Sequence, residues 1–297
     1  MIEIVEDIAE TARWVAIHRA IESERPDALF RDPYARALAG ERGAEIERSL
    51  PRGSVAHLST AVRTCLFDDF ILGAIERDGI ETVLNLAAGL DMRPFRLPLP
   101  ATLRWIEVDL PQTIAYKEKR LSGERPRCVF ERVALDLAVP AARRALFERV
   151  DRETRGPVLA VTEGLLIYLT AEQVAGLAQD LARPSFRFWV TDLSSPAQLR
   201  QLQDSWGGGV GQQARFQFSP AEGPQFFAAF GWQPREFRST WEEGHRLQRE
   251  GWRSRVLRIV ARLSAERREL FRTFSGTLLL AHSAAPTPTD HRPLPLT

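Results

Sequence analysis

Five short apolar runs, each followed by a helix-like stretch, constrain this chain most. Thr82 to Ala88 (TVLNLAA), Leu103 to Val108, Val129 to Leu135, Val158 to Thr162 and Phe186 to Thr191 read as buried strands bounded by turn or cap residues. Pro111 suits the first turn of a helix running to about Leu121. Thr170-Ala-Glu-Gln173 is a capping box that opens the helix after the fourth strand. Ser219-Pro-Ala-Glu222 is a second one, with Gly231 placed to end its helix. Strands alternating with helices predict an α/β fold, a doubly wound and mostly parallel sheet with helices on both faces.

Two helical additions frame the core at 78–240. Residues 1–77 precede the first strand, and residues 241–275 lie between late strands near Arg235 to Thr240 and Thr277 to His282. Both are expected to cap the carboxyl edge of the sheet, where open α/β sheets bind ligands. The whole of 1–283 is expected to be one domain, followed by a proline- and threonine-rich loose tail, Ala284 to Thr297.

Composition removes some function classes. A formal net charge of +1 gives no global field to recruit nucleic acid. Two cysteines, Cys65 and Cys128, argue against a disulfide framework and fit a reducing cytoplasm. The first thirty residues carry charges throughout, against a signal peptide, and the longest apolar runs, such as Leu165 to Leu169, are too short to span a bilayer. The expectation is a cytoplasmic protein without membrane or nucleic-acid partners.

Four motifs carry chemistry. Asn85-Leu-Ala-Ala-Gly89-Leu-Asp91-Met-Arg93 closes the first strand, and Gly89 lets the backbone approach a ligand. Asp109 ends the second strand at a distance suited to a carboxylate that accepts from ribose hydroxyls. A dinucleotide fingerprint wants glycines near 87, 89 and 92, whereas Ala87, Gly89 and Met92 stand there, so a nucleoside cofactor without a pyrophosphate fits better. The bland alternative is a turn glycine and a helix-capping aspartate. Glu163, at the carboxyl end of an apolar strand, faces the crevice and suits a cationic amine, or else a salt bridge to a nearby arginine. Arg63 lies on the edge of the helical face formed by positions 58, 62, 66, 67, 70, 71 and 74 and can meet a carboxylate bidentately or snorkel to solvent. Asp136-Leu137, ending the third strand, can contact adenine or cap a helix before Pro140.

In order, Asn85 to Arg93, Glu107-Val-Asp109-Leu-Pro111 and Glu163-Gly-Leu-Leu-Ile-Tyr168-Leu strongly resemble the leucine carboxyl methyltransferase family, in its bacterial branch of polyketide and secondary-metabolism O-methyltransferases. Arg19-Ala-Ile-Glu22 and Arg31-Asp32-Pro33-Tyr34-Ala35 also look like that branch, and the resemblance covers about residues 10–282. It implies a seven-stranded Rossmann-like methyltransferase sheet with a helical cap and S-adenosyl-L-methionine as cofactor. Arg63 would then bind the cofactor's carboxylate, Glu163 its amino group and Asp109 its ribose. Gly89 would let the methionine portion pass, with Ala87 and Asp91 completing that turn, and Asp136 and Leu137 would contact the adenine. Arg13 would be a second basic residue for the carboxylate. Ala87 and Met92 stand where a glycine and a threonine are common.

The implied activity is O-methylation of a carboxylate or hydroxyl on a small molecule, such as a polyketide-type metabolite. Tyr168 could line the acceptor pocket or belong to the core. No metal is expected, and none of the five histidines is a convincing base; His245, in the cap, is the one to test. The rival readings are methylation of a protein carboxyl terminus or of RNA, a silent cofactor-binding module, and a nicotinamide dehydrogenase, which the missing glycines weaken. The RNA reading draws on the arginine-rich segment 246–272, more simply a solvated helix face with local ion pairs.

Overall fold

The computed structural model describes residues 8–49, 56–206, 215–261 and 264–282. The expected tail at 284–297 lies outside the described residues. Three helices, α1 (Ile8–Ser23), α2 (Ala35–Ser49) and α3 (Ala56–Asp78), precede the sheet. The core then alternates: β1 (Thr82–Leu86), α4 (Arg93–Arg96), β2 (Arg104–Asp109), α5 (Pro111–Arg120), β3 (Val129–Ala134), α6 (Pro140–Glu153), β4 (Val158–Thr162), α7 (Ala171–Leu181), β5 (Phe186–Ser194) and α8 (Pro196–Trp206). It ends with β6 (Trp232–Ser239), α9 (Thr240–Arg246), α10 (Trp252–Ala261), α11 (Ala265–Arg272) and β7 (Ser275–His282).

The seven strands form one sheet in the order β3-β2-β1-β4-β5-β7-β6. β7 runs antiparallel to both of its neighbours, and the pairs among β1 to β5 are parallel. The chain winds outward from β1 to β3 and then restarts at β4, so the switch point falls between β1 and β4. β1 and β4 are buried at every position, as strands covered on both faces must be.

Alternate side chains feed two cores. Val83, Trp105, Leu159, Val161 and Val190 pack with Phe67, Phe70 and Ile71 of α3. Leu84, Leu86, Ile106, Val108 and Ala160 face Leu146 and Phe147 of α6 and Val174 and Leu177 of α7. A third cluster joins Ala16, Ile17 and Ala20 of α1 and Leu38 of α2 to Leu90, Met92 and Phe95, which places the first two helices over the turn after β1. Met92 fills that cluster with no exposed surface, which accounts for an apolar residue at that position.

Some boundaries differ from expectation. β1 stops at Leu86 because Ala87 takes a positive φ of 52°. β5 continues to Ser194 because β7 pairs with it out to Ser275. The Thr170 capping box forms with both of its hydrogen bonds, and Gly231 ends its segment in the left-handed region. The Ser219 box does not form: its hydroxyl donates to Ser194 O at 2.7 Å, and the segment is a 3-10 helix from Gly223 to Phe230.

The insert between β6 and β7 leaves and re-enters at the carboxyl edge, since Ser239 pairs with Gly276 and Ser194 with Ser275. It meets the amino-terminal helices there through Arg249 and Glu22, whose side chains are each 2% exposed and 2.8 Å apart.

Candidate functional site

The turn after β1 is built to lie against other groups. Gly89 has φ 50°, and a Cβ there would stand 3.3 Å from the Ala12 side chain of α1. Asp109, at the end of β2, ties the turn down: one carboxylate oxygen accepts from Gly89 N at 2.6 Å and the other from Leu110 N at 2.7 Å. Asp91 is 9% exposed and accepts from Asn85 Nδ2 at 2.8 Å, Arg93 N at 2.9 Å and Arg93 Nη1 at 2.9 Å. Both of its oxygens are engaged, so Asp91 shapes the turn from within. Beneath it Lys117 of α5, fully buried, donates to Asp91 O at 2.9 Å and to the equally buried Glu107 at 2.7 Å.

An ionic cluster lies at the carboxyl ends of β4 and β5. Glu163 Oε1 is 3.1 Å from Arg63 Nε, and its Oε2 is 2.8 Å from Arg93 Nη1. Arg63 also reaches Asp192 of β5 at 3.3 Å, while Asp192 accepts from Gly164 N at 2.8 Å. Arg93 continues inward to Asp68 at 2.7 Å, and Arg96 holds both oxygens of Asp68 at 2.7 Å. The result is a chain of alternating charge, Asp192–Arg63–Glu163–Arg93–Asp68–Arg96.

Burial alone would raise Asp91, Glu163 and Asp192, and the neighbouring cations decide the outcome. Against burial, Arg93, Arg96 and Lys117 hold Asp91 down at about 2. Arg93 and Arg63 likewise leave Glu163 below the usual carboxylate range. At Asp192 burial prevails over Arg63, and its pKa rises. Burial also raises Tyr168, which hydrogen-bonds Thr11 and lies in the field of Arg63 and Asp192.

The structure brings Arg63 and Glu163 together as a salt bridge with each other, and Asp109 onto the backbone N of Gly89. Tyr168 is half-buried and packs against Phe216, 5.6 Å between ring centroids. Asp136 is exposed and accepts from Ala138 N at 2.8 Å, while Leu137 packs on the core and its carbonyl accepts from Arg143. Arg13 turns elsewhere: its guanidinium lies 4.2 Å over the Tyr116 ring and donates to the hydroxyl at 2.9 Å. The register of α1 explains this, because Ala12 takes the position beside Gly89.

Asp192 and Arg93 were not singled out from the sequence. Asp192 carries the same signal as Glu163, an acid at the carboxyl end of an apolar strand. Arg93 ends the Asn85 to Arg93 motif, where nothing in the sequence marks it as buried. In the arginine-rich segment Arg246 pairs with Glu243, Arg258 with Glu250 and Arg272 with Glu269, while Arg249 is buried on Glu22 rather than solvated.

These residues fit a nucleoside cofactor with an amino-acid end. Such an end needs an anion and a cation close together, and Glu163 and Arg63 supply them with side chains 15% and 24% exposed. Gly164, at φ 65°, leaves the space beside the guanidinium free; a Cβ there would be 3.4 Å from Arg63 Nη1.

The leucine carboxyl methyltransferase family matches residues 12–182. A protein of Parafrankia sp. (strain EAN1pec), provisionally named an S-adenosyl-L-methionine-dependent methyltransferase, is 36% identical over 259 residues, covering 78% of this chain and 79% of that protein. One of Mycobacterium marinum (strain ATCC BAA-535 / M), with the same provisional name, is 34% identical over 230 residues, covering 68% and 69%. Among solved structures, a DUF574 family protein from Streptomyces avermitilis MA-4680 shares the fold with a TM-score of 0.59 at 13% identity, covering 92% of this chain and 97% of that one. A protein of Thermobifida fusca YX, provisionally named a methyltransferase, does so with a TM-score of 0.58 at 14% identity, covering 94% and 96%. The chain belongs to the leucine carboxyl methyltransferase family, whose members are S-adenosylmethionine-dependent methyltransferases.

Proposed function

We propose that this S-adenosylmethionine-dependent methyltransferase is an O-methyltransferase that esterifies or etherifies a small molecule, such as a polyketide-type metabolite, with a carboxylate acceptor favoured over a hydroxyl. The observation that carries the reading is the Arg63–Glu163 pair, 3.1 Å apart beside the Gly89 turn that Asp109 fastens. Arg63 would hold the cofactor's carboxylate, Glu163 its ammonium and Asp109 its ribose. Gly89 and Ala87 shape the turn along which the methionine portion would pass, with Asp91 holding that turn from inside. Asp136 and Leu137 stand beyond β3 for the adenine.

The bound cofactor supplies a methyl group already activated on a sulfonium. The protein's work is to align acceptor, methyl and sulfur, and to keep water out while they meet. Thr11 and Ala12 of α1 lie against Tyr168 and the Gly89 turn, so the first helix closes that side of the crevice. A carboxylate acceptor is ionised at neutral pH and needs no base, whereas a hydroxyl profits from one. Among the described residues, His18 lies between Thr60 and Glu47, His57 packs edge-on against His18, His245 is 57% exposed and paired with Glu250, and His282 packs on Trp232. These placements support the carboxylate.

The test is transfer of radiolabelled methyl from S-adenosylmethionine to a panel of small carboxylic acids, phenols and alcohols, followed by mild base. Label released as methanol identifies an ester, and base-stable label an ether. Labelling of a protein carboxyl terminus or RNA with none of the small molecules overturns the reading. Tight cofactor binding without any transfer favours the silent module.

A further inference from the structure

We infer that Arg93 is a positioning residue for the cofactor's ammonium site: it holds Glu163 ionised and aimed when Arg63 leaves that carboxylate for the cofactor. This rests on the reading that Glu163 takes the ammonium and Arg63 the carboxylate.

Glu163 has two cationic partners, one on each oxygen: Arg63 Nε at 3.1 Å and Arg93 Nη1 at 2.8 Å. Binding a zwitterion asks Arg63 to give its donors to the incoming carboxylate. Glu163 would then face the ammonium with one partner left. Arg93 is that partner, and it is fixed from three sides. Asp68 takes its Nε at 2.7 Å, Asp91 takes its Nη1 at 2.9 Å, and its own backbone N is bound to Asp91 at 2.9 Å. Its side chain is only 3% exposed, against 24% for Arg63, so of the two arginines Arg63 is the one placed to meet a ligand. Asp68 is itself clamped by Arg96 through two contacts of 2.7 Å, so the anchor continues into α3 and α4. Arg63 keeps a partner of its own in Asp192. The pair between Arg63 and Glu163 is thus the exchangeable link, and the links to Arg93 and Asp192 are the permanent ones.

A role through Glu163 touches only the amino end of the ligand. The experiment compares dissociation constants for S-adenosylhomocysteine, its analogue lacking only the amino group and its analogue lacking only the carboxylate. The unmodified protein should prefer the parent over the deamino analogue by about tenfold or more, the worth of one charge-assisted hydrogen bond. Arg93→Gln should compress that preference to within about threefold while leaving the preference over the decarboxy analogue unchanged. Arg93→Lys should restore it. Asp68→Asn, which loosens Arg93 without touching the crevice, should compress it in part and serves if Arg93→Gln does not fold.

Weaker binding of all three ligands in equal proportion, which a purely structural role produces, overturns the inference. Glu163→Gln separates the two levels. If it leaves the deamino preference intact, Glu163 is not the ammonium site and both fail. If it abolishes the preference while the Arg93 and Asp68 variants retain it, only the role of Arg93 fails.

Discussion

Arg249 of the insert after β6 and Glu22 of α1, 227 positions apart in sequence, form a buried ion pair that clasps the two parts of the cap. Arg249 donates from Nε to both Glu22 oxygens, at 3.1 and 2.9 Å, and from Nη2 to Oε1 at 2.8 Å, and it also reaches the exposed Asp27 at 3.1 Å. Removing one partner of such a pair strands a buried charge.

Arg249→Met should therefore lower unfolding stability by about 3 kcal/mol, since Glu22 loses its buried counter-charge and keeps only the more exposed Arg25, 3.7 Å away. The double variant with Glu22→Gln should cost clearly less than the sum of the two singles. Urea unfolding of the three variants measures this. Singles that add without interaction would mean that the pair does not couple the two parts.

Asp109 holds two backbone amides of the turn that faces the ligand, so it has two jobs. Asp109→Ala should weaken cofactor binding at least about tenfold through the lost ribose contact, whose charge-assisted bonds are each worth about 1.5–3 kcal/mol. It should also cost some stability, because Gly89 N and Leu110 N lose their acceptor. Asp109→Asn keeps an acceptor oxygen and should recover part of both. Calorimetric titration with S-adenosylhomocysteine, together with a melting curve, checks the two effects. An affinity equal to that of the unmodified protein in folded Asp109→Ala would remove the ribose role.

Strand periodicity and the resemblance exposed the parallel core, Gly89, Asp109, Glu163 and Arg63, because each sits at a strand's carboxyl end or on an amphipathic helix with a readable phase. The network behind them was hidden. Asp68 and Arg96 lie within helices, where a charge normally reads as a solvated face, and only the tertiary packing of α3 on α4 shows that they are buried together. Arg249 was concealed by its arginine-rich surroundings, in which one buried member carries no local mark. Arg13 faces Tyr116 for a geometric reason: one position along α1 decides between the Gly89 turn and Tyr116.

Acid should undo the turn after β1 over a defined range. Asp91 ionises at about 2 in the folded protein, against about 3.9 for an ordinary aspartate. Its contribution is complete above about pH 3.9 and is lost as pH falls toward 2, an effect on the order of 2–3 kcal/mol. Glu163, also lowered, adds in the same direction. Asp192, raised, acts in the opposite sense, because the fold binds its proton more tightly than the unfolded chain does. Denaturant midpoints measured from pH 6 to 2.5 should fall for the unmodified protein and fall less steeply for Asp91→Asn. Equal slopes would show that Asp91 does not carry the acid limb.

The Arg63–Glu163 contact predicts a separation of affinity from stability. In the free protein each residue has a second partner, Asp192 for Arg63 and Arg93 for Glu163, so neither single deletion leaves its neighbour bare. Arg63→Ala and Glu163→Ala should therefore lower the melting temperature only modestly. Cofactor binding should suffer far more, about tenfold or greater for each, because one end of the zwitterion loses its counter-charge. The double variant should bind less poorly than the product of the two losses, since each single also leaves an uncompensated charge facing the bound ligand. If the pair were instead an ordinary structural salt bridge, the melting temperature would move and the intrinsic affinity of the folded fraction would not. Measuring both quantities on the same three variants distinguishes the outcomes, and an affinity unchanged in all three would end the assignment of this pair to the cofactor.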